Sequence, residues 1–391
     1  SALNNNVQIN IAGLAISNAG IITNSEVVSF YTTGNAVGQS ESLLEPATNE
    51  HNNPSGFNVK FIRGALTTES VYLTAGSSWS TQMAGFVISN SGNITNSRVG
   101  GDEVTILGED RTEVAENGDV IAMGYTFAST IDLDTFYMIG QGDMAGFVLT
   151  NSGSISASFV KLLDMENQSR ATAYDTSGFA GTNSGTILTS YAEGKQDETN
   201  TNDWAKFAYT GTSLKSAYGI IAGFINSNNG LIKDSYSNIL ISNSSNSLNV
   251  YLASGFVYRN EGTIETSYSA SQIANSRSTQ MNFSGVNESG DLLANGTYTN
   301  CYYFNYQYYG NEEASDSSNE ALYSTGAILI PDPENSTYFY GFAIADSEYD
   351  GIWSNVVGEG IKLIEPNIKT YSHRYVSYIA EGSGVGGVVG V

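Results

Sequence analysis

A fourteen-residue motif occurs six times without gaps, and a chain that repeats itself in this way must stack copies of one structural unit. From Ala84 it reads Ala-Gly-Phe-Val-Ile-Ser-Asn-Ser-Gly-Asn-Ile-Thr-Asn-Ser, and it begins again at Ala12, Ala145, Ser177, Ala222 and Ser254. One column is Gly13, Gly85, Gly146, Gly178, Gly223 and Gly255. The next is Leu14, then Phe86, Phe147, Phe179, Phe224 and Phe256. Asn18, Asn90, Asn151, Asn183, Asn228 and Asn260 follow, each two residues before a second glycine. The motif closes with Ile22, Ile94, Ile155, Ile187, Ile232 and Ile264, and with a serine from Ser25 to Ser267. Degraded copies begin at Ser55-Gly56-Phe57 and Ser284-Gly285-Val286, and a further start stands at Gly386 to Gly390. Neighbouring copies lie 29 to 61 residues apart. The shortest spacings, near 30, correspond to one rung; the spacing of 61 is two rungs or one long insertion.

The motif spells strand, corner, strand. Phe and Ile point to a common interior, and the Asn-x-Gly pair supplies a corner, since both residue types tolerate a left-handed backbone. Stacking the rungs puts each Asn above the last, so that the amides form a ladder. The residue after Phe is also apolar (Val87, Val148, Ala180, Ile225, Val257). Adjacent strand residues face opposite sides. Either a bend falls between the two, or a second layer covers the outer face. A helical reading fails, because apolar positions do not recur at three and four residues and glycine is too frequent. The expected fold is all-β, a parallel β-solenoid (β-helix) of right hand, interrupted by irregular loop insertions.

The chain carries 15 Lys and Arg against 39 Asp and Glu, a net charge of −24, with only 14% charged residues. That balance excludes nucleic acid, which needs a basic face, and disfavours anionic lipid. No run of 18 apolar residues appears, so no membrane span is expected. Forty-two glycines with five prolines suggest tight turns rather than a linker. Cys301 is the only cysteine, so ladders and packing, not disulfides, must hold the fold. Few charges with much Ser, Thr, Asn, Gly and Tyr point to an extracellular, cell-surface location.

Ser177 to Gly194 (SGFAGTNSGTILTSYAEG) and Gly386 to Gly390 (GGVVG) resemble the GLUG repeat of large bacterial surface and secreted proteins. The resemblance covers about residues 12 to 300. In such arrays a Cys-Tyr-Trp element and a Gly-Phe-Asp-Phe and Trp segment often follow. Cys301-Tyr302-Tyr303, Tyr340-Gly341-Phe342 and Gly351-Ile352-Trp353 keep that order, with Tyr303 and Ala343 as departures. The resemblance implies a solenoid array over 1–300, a terminating β module over 301–372, and the start of a further repeat over 373–391. It also implies display, adhesion or assembly on a bacterial exterior.

Candidate chemistry is sparse. Asp102 with Glu103, Glu109 with Asp110, and Asp132 with Asp134 are the carboxylate pairs to weigh for a polysaccharide-cleaving site; acids this frequent pair by accident. Asp346, Glu348 and Asp350 alternate before Gly351 like the start of a calcium loop, without its closing Glu. Calcium is the one cofactor suggested. Tyr302, Tyr303, Tyr306, Tyr308 and Tyr309 form a cluster suited to a partner surface or a sugar. Neither His51 nor His373 lies in a metal or protease motif, and no phosphate loop or nucleophile elbow appears. A repeat begins close to each end with no polar cap in view, so each end rung should continue into a longer chain or stack head to tail on identical copies. The expectation is therefore a non-enzymatic structural protein, a segment or subunit of a surface filament or stalk. Rival readings are an adhesin for surface glycans and a carbohydrate-active β-helix enzyme.

Overall fold

In the computed structural model the motif copies form the rungs of a parallel β-solenoid. The structure describes residues 8–27, 80–101, 103–106, 112–114, 120–123, 129–132, 136–140, 142–167, 174–194, 214–216, 219–243, 252–273, 280–281, 283–285, 293–304, 326–332, 335–346, 350–356 and 360–365. Among them are no α-helices, only strands and one 3-10 turn at Ser336–Tyr338.

One rung shows the plan. Ser80–Ala84 runs into a corner at Gly85-Phe86, Val87–Asn90 into a corner at Ser91-Gly92, and Asn93–Thr95 into a third corner before Arg98–Val99. Stacking turns these four strands into four parallel sheets, here numbered 1 to 4 in rung order. Sheet 1 joins Gln8–Ala12, Ser80–Ala84, Gly142–Ala145, Thr176–Ser177, Ile220–Ala222, Leu252–Ser254 and Gln280–Met281. Sheet 4 runs through Phe159–Asn167, Tyr191–Gly194, Tyr236–Asn238 and Tyr268–Ser269 to Tyr302–Phe304 and Ile328–Ile330. The second half of Phe159–Asn167 carries a branch, in which Phe136–Gly140, Leu214–Ser216, Leu240–Asn243 and Gln272–Ile273 extend the same rungs.

The register is like on like. Asn18 pairs with Asn90, Asn90 with Asn151, Asn151 with Asn183, Asn183 with Asn228 and Asn228 with Asn260. The spacing of 61 is one step, because Gly142–Ala145 pairs directly with Ser80–Ala84. The extra residues make a side excursion that includes two antiparallel strand pairs. Likewise Gln8–Ala12 pairs directly with Ser80–Ala84. The segment from Ser55, read as a degraded copy, lies outside the described residues. The copy assigned to Ser284-Gly285-Val286 shifts. Phe283, not Val286, stacks on Phe256 (4.8 Å), and Met281 pairs with Ser254.

Two consecutive apolar residues follow the first glycine because a bend falls there. The N–H groups of Phe86 and Val87 both donate to the Phe147 carbonyl, and both side chains enter the lumen. Phe86, Phe147, Phe179, Phe224, Phe256 and Phe283 then form one stack, with ring centroids 4.6 to 4.9 Å apart.

The glycines answer to space, not to a left-handed backbone, which corrects the expectation for Asn-x-Gly. Neither glycine column has a positive φ. A Cβ on Gly153 would sit 2.0 Å from the Gly92 carbonyl oxygen, and one on Gly85 would sit 1.9 Å from that of Gly146. The left-handed residue is the one before the closing serine, or before Cys301 in its place: Asn24, Asn96, Ala157, Thr189, Asp234, Thr266 and Asn300, with φ between 42° and 53°. Each following serine restores order. Ser97 Oγ donates to the Thr95 carbonyl (2.9 Å) and accepts from Ser25 N–H (3.3 Å).

These constraints give a paired prediction for calorimetric melting. Ala157→Gly removes a left-handed Cβ and raises stability by about 1 kcal/mol. Gly153→Ala forces two rungs apart and lowers stability by at least about 3 kcal/mol.

Candidate functional site

The asparagines chosen from the sequence form a continuous amide ladder. Asn18 Nδ2 donates to Asn90 Oδ1 at 2.7 Å, and the same bond repeats through Asn151, Asn183 and Asn228 to Asn260 at 2.7 to 2.8 Å. Each side chain also clamps its own corner; Asn228 Oδ1 accepts from Gly230 N–H at 3.2 Å. The isoleucines from Ile94 to Ile264 are fully buried in the lumen, with Ile22 partly exposed on the first rung. That column ends on Tyr298, which pairs with Ile264 and whose hydroxyl bonds Ser284 Oγ at 3.0 Å. Tyr303 and Phe283 fill the lumen beside it. Aromatic side chains thus fill the lumen at the last rung described for the array; the further repeat start at Gly386 to Gly390 lies outside the described residues.

Of the tyrosine cluster, Tyr302 and Tyr303 are not exposed. Tyr302 and Tyr303 are buried on opposite sides of one strand, Tyr303 in the lumen and Tyr302 on the outer face of sheet 4. Adjacent strand residues face opposite ways, so neighbours in sequence are separated by the sheet. Tyr306, Tyr308 and Tyr309 lie outside the described residues. Cys301 takes the place of the serine before each sheet 4 strand, and burial pushes its thiol up to about 12.

The outer face of sheet 4 carries a second aromatic stack, Phe159, Tyr191, Tyr236 and Tyr268, with centroids 4.7 to 5.3 Å apart. The terminal segment covers it. Phe339, Trp353 and Ile361 are buried there, the last two on an antiparallel hairpin of Trp353–Val356 and Gly360–Leu363. Tyr268 Oη donates to the Ile361 carbonyl and Tyr302 Oη to that of Tyr340. Two ion pairs tie the hairpin down: Lys362 to the buried Glu193 (3.0 Å) and Glu365 to Lys161 (2.6 Å). Burial alone would raise the Glu193 carboxyl. Lys362 and Lys161, with hydrogen bonds from Tyr236 and Lys362, outweigh burial and hold it below its ordinary value.

Asp346 and Asp350 are exposed, and Glu348 lies outside the described residues. Among the described residues no group of three or more His, Cys, Asp or Glu is placed to hold a metal. Of the acid pairs, Glu103 and Asp132 are backbone partners across one antiparallel pair; Asp102, Glu109, Asp110 and Asp134 lie outside the described residues.

A different acid pair stands on the outer face of sheet 1. Asp143 and Asp175 occupy one column on adjacent rungs, and Asp143 Oδ1 accepts from Asp175 N–H at 3.1 Å. Burial, then the Asp143 charge, raises the Asp175 carboxyl to about 6 against a bond from the Ile220 N–H. Beside them runs the corner between sheets 1 and 2, where Asn226 and Tyr258 stand on successive rungs. The Asp175 charge raises the Tyr258 phenol further than burial alone, against Arg259. Asn226 is 3% exposed, and neither of its amide atoms has a hydrogen-bond partner among the described residues. An unserved buried amide costs about 1–3 kcal/mol. The pair escapes a local reading because its members stand 32 residues apart; the signal was the shared place two residues before the small residue of each motif.

Comparison with family models, with curated proteins and with solved structures gave no match.

Two pH-dependent outcomes follow from the charges. Glu193 has a lowered carboxyl, so its stabilisation is full above its ordinary value of 4.5 and is lost as pH falls further. Hydrogen exchange at 353–363 should quicken below that pH. Lys362→Met should produce the same loosening at pH 7, at a cost of about 3–5 kcal/mol for a stranded buried carboxylate. Asp175 has the opposite sign: its charge is a penalty that appears as pH rises from 3.8 to about 6. Asp175→Asn should therefore raise the melting temperature at pH 7, by roughly 1–3 °C, and leave it unchanged at pH 3.5.

Proposed function

We propose that this chain is a structural extracellular protein, a segment or subunit of a cell-surface filament or stalk assembled through β-solenoid stacking. The observation that carries this reading is the set of unbroken axial ladders. The amide ladder and the serine column run through all six motif copies, and the phenylalanine stack runs from the second copy onward. A rod built this way is stiff, because bending it strains every column at once. The resemblance of the motif to the GLUG repeat supports the same reading and an exterior location. The large acidic excess supports it too, since it keeps long rods apart in solution.

Seven stacked rungs at about 4.8 Å each span only about 3 nm, so a filament requires continuation by a longer chain or by copies. Negative-stain electron microscopy of native material, with intact mass beside it, tests this. Rods many times that length are expected. A subunit near 41.6 kDa would make them polymers, and a much larger subunit would make them one long stalk. Discrete particles of a single 41.6 kDa chain would overturn the reading.

A further inference from the structure

The outer face of sheet 4 carries a polar column beside its aromatic stack. Lys161, Glu193, Asn238 and Ala270 stand on successive rungs, each two residues after Phe159, Tyr191, Tyr236 and Tyr268. Glu193 and Asn238 are direct register partners, and both are buried. The terminal hairpin runs along this column. Tyr268 holds the Ile361 carbonyl at one end, and Lys161 holds Glu365 at the other. Lys362 follows Ile361 and crosses the rungs between, with its Nζ 3.0 Å from Glu193 Oε1. Its charge acts on Tyr268 as well as on Glu193. It therefore stands over the rung that separates those two, which is the rung of Asn238. Packing alone does not ask for this trio, because a buried ion pair stabilises little more than apolar residues in its place. The neighbours Tyr236, Tyr268 and Trp353 are aromatic. An amine, a carboxylate and a carboxamide in one closed aromatic space are, however, the reactants and the base of a single reaction.

We propose that Lys362 Nζ condenses with the side-chain amide of Asn238, forming an isopeptide cross-link that fastens the terminal hairpin to the solenoid. Glu193 first takes a proton from the Lys362 ammonium across their 3.0 Å contact. That transfer removes two opposite charges from surroundings that solvate neither well. The neutral amine then attacks Asn238 Cγ, as desolvated lysines attack carbonyl carbons elsewhere. As the Nζ–Cγ bond forms and Cγ–Nδ2 breaks, Glu193 returns its proton to Nδ2. The second proton shed by Nζ goes with the leaving group, so ammonium departs, an amide remains and Glu193 is again a carboxylate. The balance needs no oxidant and no co-reactant. Holding amine and amide in place turns a slow bimolecular exchange into an intramolecular one. After linkage Lys161 and the Tyr236 hydroxyl still favour the Glu193 carboxylate, so the hairpin keeps its sensitivity to acid.

The test is intact-mass spectrometry of the folded whole chain. The expected mass is that of the sequence less one ammonia. Trypsin does not cut at an acylated lysine, so its digest should contain one branched peptide joining Asn238 to Lys362. Lys362→Arg keeps a cation for Glu193 and removes the amine, and Glu193→Gln removes the base. Both variants should return to the full sequence mass. A wild-type chain at full sequence mass would overturn the proposal. So would the loss of one water instead, which would place the link on a carboxylate. Ammonia loss that survives Lys362→Arg would overturn it too, since that is an asparagine cyclising on its own backbone. Should either variant misfold, the branched peptide of the wild-type chain, present or absent, decides alone. Filament length by microscopy is independent of every one of these outcomes, so the rod reading stands or falls apart from this link.

Discussion

Hydrogen bonding along the rod axis places every residue on its own counterpart one rung away, and that single constraint decides which residues the chain can use. A column survives only if its residue type interacts well with itself. Phenyl rings do, stacked at 4.6 to 4.9 Å with nearly parallel planes. Amides do, because each has a donor for the acceptor above it. Serine hydroxyls do for the same reason, and isoleucines interlock. Like charges do not, which is why a chain of 391 residues can be folded with only 14% charged side chains. Opposite charges do stand on adjacent rungs, as Arg98 on Glu26 and Lys233 with Glu265, whereas the like-charged Asp143 and Asp175 meet at a cost.

The same axial closeness explains the glycines. The first glycine of the motif would aim a Cβ at the following rung, and the glycine of Asn-x-Gly would aim one at the preceding rung. The two columns therefore hold the backbone corners together from opposite directions. The Asn between them serves twice, bonding its own corner and the next amide. Removing a methyl group at two places per rung is what lets the ladder bonds reach 2.7 to 2.8 Å.

Much of this was legible in the sequence, because a column of identical residues is a direct record of stacking. Gly, Phe, Asn, Ile and Ser columns gave the parallel solenoid, its lumen and its rung order. The wrong inferences have physical causes. The left-handed position escaped notice because it is not a glycine: Asn24, Asn96, Ala157, Thr189, Asp234 and Thr266 share a backbone angle but no side-chain type. The insertion between Gly85 and Gly146 was ambiguous because spacing counts residues, while only pairing counts rungs. Tyr302 and Tyr303 read as one cluster, yet the alternation of a strand puts one in the lumen and the other beneath the terminal hairpin. Asp143 and Asp175 looked unrelated until the columns were aligned by pairing.

The columns that break the like-on-like rule carry the remaining information. The lumen columns keep their chemistry through six copies, and the tyrosine stack of sheet 4 keeps its aromatic character until the hairpin covers it. The outer corner alone passes from Ile and Leu to Gly, Asn and Tyr while staying beside the same floor. Solvent exposure would explain such drift on an open face, but Asn226 and Ser254 are buried. Packing would explain an apolar substitute, but these are polar and unserved. Beside them sit Asp143 and Asp175 on adjacent rungs, where burial first and the Asp143 charge second raise the Asp175 carboxyl to about 6. The like-on-like rule therefore governs the lumen and the buried ladders, while the outer corner departs from it rung by rung.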